Sequence, residues 1–137
     1  MFRRRRWPVT PDPDDIVGVK WATVQPPICE QFKVRPVPAD PELNCGVARN
    51  VINGAYASAG EYPLTGVRHP PMNGTSGWYV WAGDYSDADD FFVPVHTLHL
   101  EHYCPELVPY LALPPGWWIE LAPGHEDAGY DTALLEP

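Results

Sequence analysis

Short apolar segments alternate with polar ones along this chain, and proline or glycine separates most of them. Residues 16–24 are rich in β-branched side chains and stop before Pro26-Pro27, a pattern that predicts a β-strand. Residues 32–37 alternate apolar and polar side chains before Pro36 and Pro38, which predicts a short edge strand. The period of residues 45–52 fits a strand and a short helix equally well.

Clearer strand patterns follow. Residues 64–67, 78–82 and 117–121 are apolar and rich in β-branched or aromatic side chains, so each predicts a strand. Asn73-Gly74 is a turn signal between the first two. Trp117 and Trp118 are neighbours in a predicted strand, so they point to opposite faces, and one of them is either covered by another element or exposed as an interface anchor.

One helix is predicted, over residues 94–103. At 100° per residue, Val95, Leu98 and His102 share its presumed core face. Pro105 ends the helix, and a short turn is expected after it. The 18 prolines of the chain argue against any long helix.

Strands therefore outnumber helices, and most connections are too short for β-α-β crossovers. The predicted fold class is α+β, a single domain with a twisted, mainly antiparallel sheet and one or two short helices. A length of 137 residues suits one hydrophobic core. We expect residues 1–15 to form a flexible, basic and Pro-rich tail and residues 16–137 to form the domain.

Charge is divided unevenly along the chain, whose net charge is −9. All nine Lys and Arg lie in residues 1–68 with seven acids, whereas residues 69–137 carry eleven acids and no Lys or Arg. A surface of this kind repels phosphate backbones and attracts basic protein surfaces. We therefore expect a protein partner and no direct binding of nucleic acid. The open alternative is that the carboxylates only keep a Trp-rich domain soluble.

Cysteine usage and hydropathy indicate the compartment. Cys29, Cys45 and Cys104 are odd in number and contain no C-x-x-C pair, which fits reduced thiols in a cytosol. No apolar run approaches the roughly 20 residues of a membrane span, and no apolar signal-peptide segment follows the arginines of residues 3–6. We predict a cytoplasmic protein without a membrane partner.

Two clusters are candidate ion sites. Asp84, Asp87, Asp89 and Asp90 could hold a hard cation, but the loop lacks the Gly and the distal Glu of an EF-hand, which favours a solvated loop or a partner contact. His96, His99 and His102 are spaced i, i+3 and i+6, which brings neighbouring imidazoles close enough on a helix to approach one metal ion. Packing of these imidazoles, or contact with a partner, is the alternative.

No motif predicts catalysis. Thr75, Ser76 and Cys104 lie outside any nucleophile elbow, and the chain has no glycine-rich phosphate loop. We therefore predict a protein without enzymatic activity, catalytic residues or cofactor.

A set of short motifs in the second half of the chain resembles a known family. In order, they are Arg68-His69-Pro70-Pro71, Asn73-Gly74-Thr75-Ser76-Gly77-Trp78-Tyr79, Gly83-Asp84, Asp90-Phe91-Phe92, Cys104-Pro105 and Leu113-Pro114-Pro115-Gly116-Trp117. The set resembles the immunity protein 33-like family of bacteria, best over residues 68–121. The resemblance implies a small cytoplasmic antidote of a polymorphic toxin system, which binds a cognate toxin and blocks it.

The resemblance and the charge together suggest the interface. If the toxin is a nuclease, its basic phosphate-binding groove would complement clustered carboxylates. The predicted partner-binding residues are Asp84, Asp87, Asp89, Asp90, Glu101, Glu106 and Trp118. The alternative function is a metal- or small-ligand-binding domain, with hydrolytic activity possible in principle, that uses His96, His99 and His102.

Overall fold

One six-stranded sheet and the helices around it make up the described chain. A computed structural model describes the backbone of residues 13–136 and the side chains of residues 18–136. The helices are α1 (Pro13–Gln31), α2 (Arg49–Ile52), α3 (Ala55–Ala59) and α4 (Leu100–Tyr103). The strands are β1 (Asn44–Ala48), β2 (Leu64–Arg68), β3 (Thr75–Ala82), β4 (Phe92–His96), β5 (Trp117–Ala122) and β6 (His125–Tyr130). Short 3-10 helices span Thr97–His99, Pro105–Tyr110 and Thr132–Leu135.

The strand order is β4-β1-β3-β2-β5-β6. Among the strands of residues 13–136, only β1 and β3 run parallel, and every other pair of neighbours is antiparallel. This mainly antiparallel sheet with its short helices confirms the predicted α+β class. The strands predicted over residues 64–67, 78–82 and 117–121 are confirmed as β2, β3 and β5.

One face of the sheet forms the hydrophobic core. Alternate strand residues point to this inner face, and Leu64, Trp78 and Ile119 are fully buried there. The segment that contains the 3-10 helix Pro105–Tyr110 crosses above them, and Trp78 Nε1 donates a hydrogen bond of 2.9 Å to the carbonyl oxygen of Leu111. Helix α1 packs on that 3-10 helix. The inner face is therefore covered by two helical layers.

Helix α1 corrects the strand predicted over residues 16–24. Trp21, Gln25 and Cys29 are four residues apart and buried, so they form the inward stripe of a helix. Pro26 and Pro27 lack the N–H groups that would bond the carbonyls of residues 22 and 23, but both of those residues are exposed and water can solvate them. The expectation that the chain contains no long helix is therefore wrong as well. No helix in the described part of the chain has both the length and the apolar character that crossing a membrane requires.

The predicted helix over residues 94–103 is wrong in its first half. Its start belongs to strand β4, which pairs antiparallel with β1, and a 3-10 turn then leads into the four-residue helix α4. Pro94 fits this strand because β4 is an edge of the sheet. His102 does not lie on a core face, because its side chain is exposed.

The strand predicted over residues 32–37 is wrong, because the structure has no strand there. For residues 45–52 the sequence left strand and helix open, and the structure has a strand followed by a helix. Strand β6 was not expected, because its sequence is mostly polar and exposed and only its pairing with β5 makes it a strand. The tail predicted over residues 1–15 falls largely on residues 1–12, outside the described residues, and its last three residues begin α1.

Candidate partner-binding site

Large apolar side chains also occupy the outer face of the sheet, which is the face opposite the core. Residues paired directly across a ladder share a face. Tyr79 on β3 lies opposite Gly46 on β1 and Val67 on β2, and Val67 lies opposite Trp118 on β5. The central strands are therefore apolar on both faces, as expected of a sheet whose outer face is also partly covered.

Five aromatic rings on β3, β4 and the loop between them touch one another. This aromatic cluster consists of Tyr79, Trp81, Tyr85, Phe91 and Phe92. The ring centroids of Tyr79 and Phe92 are 5.2 Å apart, those of Trp81 and Tyr85 are 5.2 Å apart, and the rings meet edge to face. Such pairs are worth about 0.5–1.5 kcal/mol each beyond the area they bury.

Gly46 leaves room for the Tyr79 ring over strand β1. A Cβ atom at this position would come within 2.6 Å of the Tyr79 ring, so the absence of a side chain lets the ring cover β1. Tyr79 then reaches Phe92 across the same strand.

A groove of about 750 Å³ opens beside this cluster. Val67, Tyr79, Trp81 and Phe92 form its floor. Its sides come from Tyr85, from the β2–β3 connection and from residues 133–136. We call it the outer groove.

The C-terminal side of the outer groove is tied to the sheet by hydrogen bonds. Nδ1 of His69 donates to the carbonyl oxygen of Leu134 at 2.9 Å, and the backbone N–H of Asp131 donates to the carbonyl oxygen of Gly116 at 2.8 Å. The side chain of Asp131 accepts a bond from the N–H of Ala133, which caps the 3-10 helix Thr132–Leu135. The groove is therefore part of the fold and does not depend on one loop alone.

Exposed apolar side chains concentrate at this groove. Of the six large hydrophobic side chains that are exposed in the described chain, three line it: Met72 at 57%, Tyr85 at 58% and Leu135 at 38%. Single exposed apolar residues are ordinary, whereas a contiguous patch commonly marks a binding surface.

An acidic loop adjoins the outer groove. The loop from Asp84 to Asp90 joins β3 to β4, and its four carboxylates are exposed, while its Tyr85 ring belongs to the aromatic cluster. Asp90 alone among the four has a neighbouring cation in the described chain, since its carboxylate lies 3.9 Å from Nη1 of Arg49. No groove-lining residue is Lys or Arg, and Glu136 adds one more carboxylate.

The structure divides the predicted partner-binding residues among three places. The four aspartates lie in the loop that contributes Tyr85 to the outer groove, but none of them lines the groove, and Trp118 lies on the same sheet face next to Val67. Glu101 lies instead on the helical side, where it accepts hydrogen bonds from Lys20 and from Trp21 Nε1 at 2.9 Å. Glu106 accepts a bond of 2.8 Å from the Tyr56 hydroxyl. Glu101 and Glu106 therefore have internal partners that sequence reasoning did not anticipate.

The histidines do not converge. His96 ends β4 and His99 lies in the following 3-10 turn, with ring centroids 5.9 Å apart, while the exposed His102 contacts Tyr103. Within the described residues, no three His, Cys, Asp or Glu side chains are placed to hold one metal ion. The geometry thus gives the metal-binding alternative no support.

Arg68 is the one fully buried charged side chain in the described part of the chain. Its Nε donates to the Ser76 carbonyl at 3.2 Å, and its Nη1 donates to the carbonyls of Leu113, at 2.9 Å, and Val37. Burial lowers the pKa of the guanidinium to about 10, so it stays protonated at neutral pH. Arg68 therefore joins the sheet to two loops and is not available to a partner.

Sequence reasoning missed the outer groove, although a signal was present. In residues 78–82, Trp78 and Val80 alternate with Tyr79 and Trp81, so both faces of the predicted strand carry large apolar side chains. Met72 and residues 133–136 also line the groove, but the hydrophobic pattern of their own segments does not indicate it. Only the fold brings them to the cluster.

Comparison with known proteins identifies the family of the chain. No curated protein and no solved structure was found to match the chain. The family model of the Imm33-like domain, however, matches residues 24–131, which include every strand, the aromatic cluster and the acidic loop. The resemblance noted in the sequence is thereby confirmed, and the chain belongs to the Imm33-like family.

Proposed function

We propose that this protein is an immunity protein that binds a cognate toxin of a polymorphic toxin system and neutralises it by direct contact. The single observation that carries the proposal is the family match over residues 24–131. The complex would form in the cytoplasm, and the protein would act by covering the toxin and not by catalysing a reaction.

The charge distribution supports a basic partner. Five Lys or Arg side chains lie within residues 18–136, and two of them, Lys20 and Arg49, are already next to Glu101 and Asp90. Arg68 is buried. Most carboxylates of residues 69–136 therefore face solvent without a cation from the described chain, and a basic surface would be drawn to them. The active-site groove of a nuclease is such a surface.

Co-expression tests this proposal. The toxin encoded beside the gene of this protein is produced in a bacterial host with and without the present chain. We expect growth only when both are produced, and we expect the two purified proteins to form a stoichiometric complex. An unrelated acidic protein of similar size serves as the control for nonspecific charge effects.

Two results would contradict the proposal. The first is toxicity that persists when the chain is present at levels above those of the toxin. The second is protection without any complex, which would point to chemical modification of the toxin or of its target.

A further inference from the structure

We propose that the outer groove is the part of the surface that grips the toxin, by receiving an apolar or aromatic side chain whose neighbours in the toxin are Lys or Arg. This inference rests on the proposed function and adds to it the place and chemistry of the contact.

The floor of the groove is apolar, so it suits an apolar or aromatic side chain of the toxin. Tyr79, Trp81 and Phe92 present ring surfaces there, and Met72 and Leu135 add flexible apolar side chains at its edges. Binding energy in protein interfaces concentrates where a large side chain fills an apolar pocket. A volume of about 750 Å³ is ample for such a side chain together with its immediate neighbours.

The carboxylates near the groove favour Lys or Arg beside the apolar side chain of the toxin. Every groove-lining residue except Val67 comes from residues 69–137, the half without Lys or Arg. Asp84, Asp87 and Asp89 extend from the same loop that supplies Tyr85. Cations of the partner would thus meet carboxylates, and they would also find the ring faces of the aromatic cluster. A second copy of this chain is a poor occupant, because it would bring carboxylates against carboxylates.

The groove is also preorganised. Its floor consists of paired strands, and its C-terminal side is fixed by the hydrogen bonds of His69 and Asp131. A site that exists before binding loses little conformational freedom when it is filled, which favours affinity.

Matched lysine substitutions test the inference. Met72→Lys places a cation in the groove, where it opposes a basic partner, and Val19→Lys places the same cation at a position that is 70% exposed on α1. Tyr85→Ala removes one exposed ring from the cluster. We expect Met72→Lys and Tyr85→Ala each to weaken toxin affinity at least tenfold, and Val19→Lys to change it less than threefold. Thermal unfolding of each variant confirms that it is folded.

The outcomes separate this inference from the proposed function. If the unchanged chain does not bind the toxin, the proposed function fails. If the unchanged chain binds and both groove variants bind equally well, the function stands and the inference is overturned.

Other occupants of the groove would also overturn it. One such result is a dimer of the chain that Met72→Lys dissociates while toxin affinity is unchanged. Another is a small molecule that copurifies with the native chain and is lost from both groove variants, again with unchanged toxin affinity.

Discussion

Cys45 and Cys104 are buried side chains whose ionisation the fold opposes. Burial raises the pKa of the Cys45 thiol from its ordinary value of 9.0 to about 12, although a hydrogen bond with Thr97 acts in the opposite direction. Burial raises the pKa of Cys104 as well, and the negative charge of Glu106 adds to the shift. Both thiols are therefore protonated at neutral pH in the folded protein, whereas the thiolate is the nucleophilic form.

These raised pKa values predict that stability falls in alkaline solution. Below pH 9 the thiols are neutral in the folded and the unfolded chain, so the free energy of unfolding keeps its full value with respect to these groups. Above pH 9 only the unfolded chain releases these protons, and the contribution of Cys45 is lost progressively towards pH 12. Each such thiol steepens the decline in the free energy of unfolding by about 1.4 kcal/mol per pH unit.

Urea unfolding of the native chain and of Cys45→Ala, both at several pH values from neutral to pH 10.5, measures this slope. Cys45→Ala is less stable at every pH because it creates a cavity, but its decline above pH 9 should be shallower. Burial also raises the pKa of the Tyr56 and Tyr110 hydroxyls, but their effect on the pH dependence is the same in both proteins and cancels in the comparison. Identical slopes would contradict the assignment.

At the scale of elements, the β2–β3 hairpin connects the core to the outer groove. Trp78 and Val80 point inward from β3, and Tyr79 and Trp81 point outward from the same strand. The start of the strand depends on Gly77, whose φ is +94° and whose carbonyl accepts a bond of 2.8 Å from the N–H of His69. A Cβ atom there would overlap the carbonyl oxygen of His69.

Two glycine substitutions should therefore have opposite effects. Gly77→Ala should lower the free energy of unfolding by about 2 kcal/mol or more, because the backbone conformation and the neighbouring carbonyl both exclude a side chain. Gly18→Ala, in α1 with nothing within 4 Å of its Cβ position, should raise it by about 0.5–1 kcal/mol. Chemical denaturation of both variants checks the pair, and a Gly77→Ala protein as stable as the native chain would refute the strain argument.

The same elements show which parts of the fold could be read from sequence. Strands β2, β3 and β5 were predictable because their apolar and β-branched residues bury themselves in the sheet they form. Helix α1 was not, because Pro26 and Pro27 end most helices and their cost is small here only because the freed carbonyls reach water. Strand β6 and the C-terminal side of the groove depend on pairing with β5 and on the His69 bond to Leu134, which are long-range contacts without a local pattern.

At the scale of the whole molecule, electrostatics should govern the rate at which the toxin is captured. The net charge of −9 and the exposed acidic loop would attract the proposed basic partner over distances that salt shortens. This long-range attraction differs from the proposed short-range contacts with the aromatic cluster, which would determine how long the complex lasts.

Association with the toxin should therefore slow as ionic strength rises, by about tenfold or more between low and physiological salt. Asp87→Asn combined with Asp89→Asn should flatten this dependence. Glu30→Gln combined with Asp40→Asn removes the same charge from α1 and the segment after it and should have a smaller effect. Stopped-flow experiments measure the association rates of the native chain and of both double variants at several salt concentrations. Equal salt dependence in the two double variants would place the attracting surface elsewhere.

The C-terminal residues that form one side of the outer groove also affect how this protein can be handled. Glu136 lies at the rim, so any polypeptide joined after it would emerge beside the opening. A purification tag fused there would crowd the site or offer it an artificial occupant. Affinity measurements consequently call for a tag at the other terminus, or for one that is cleaved before the assay.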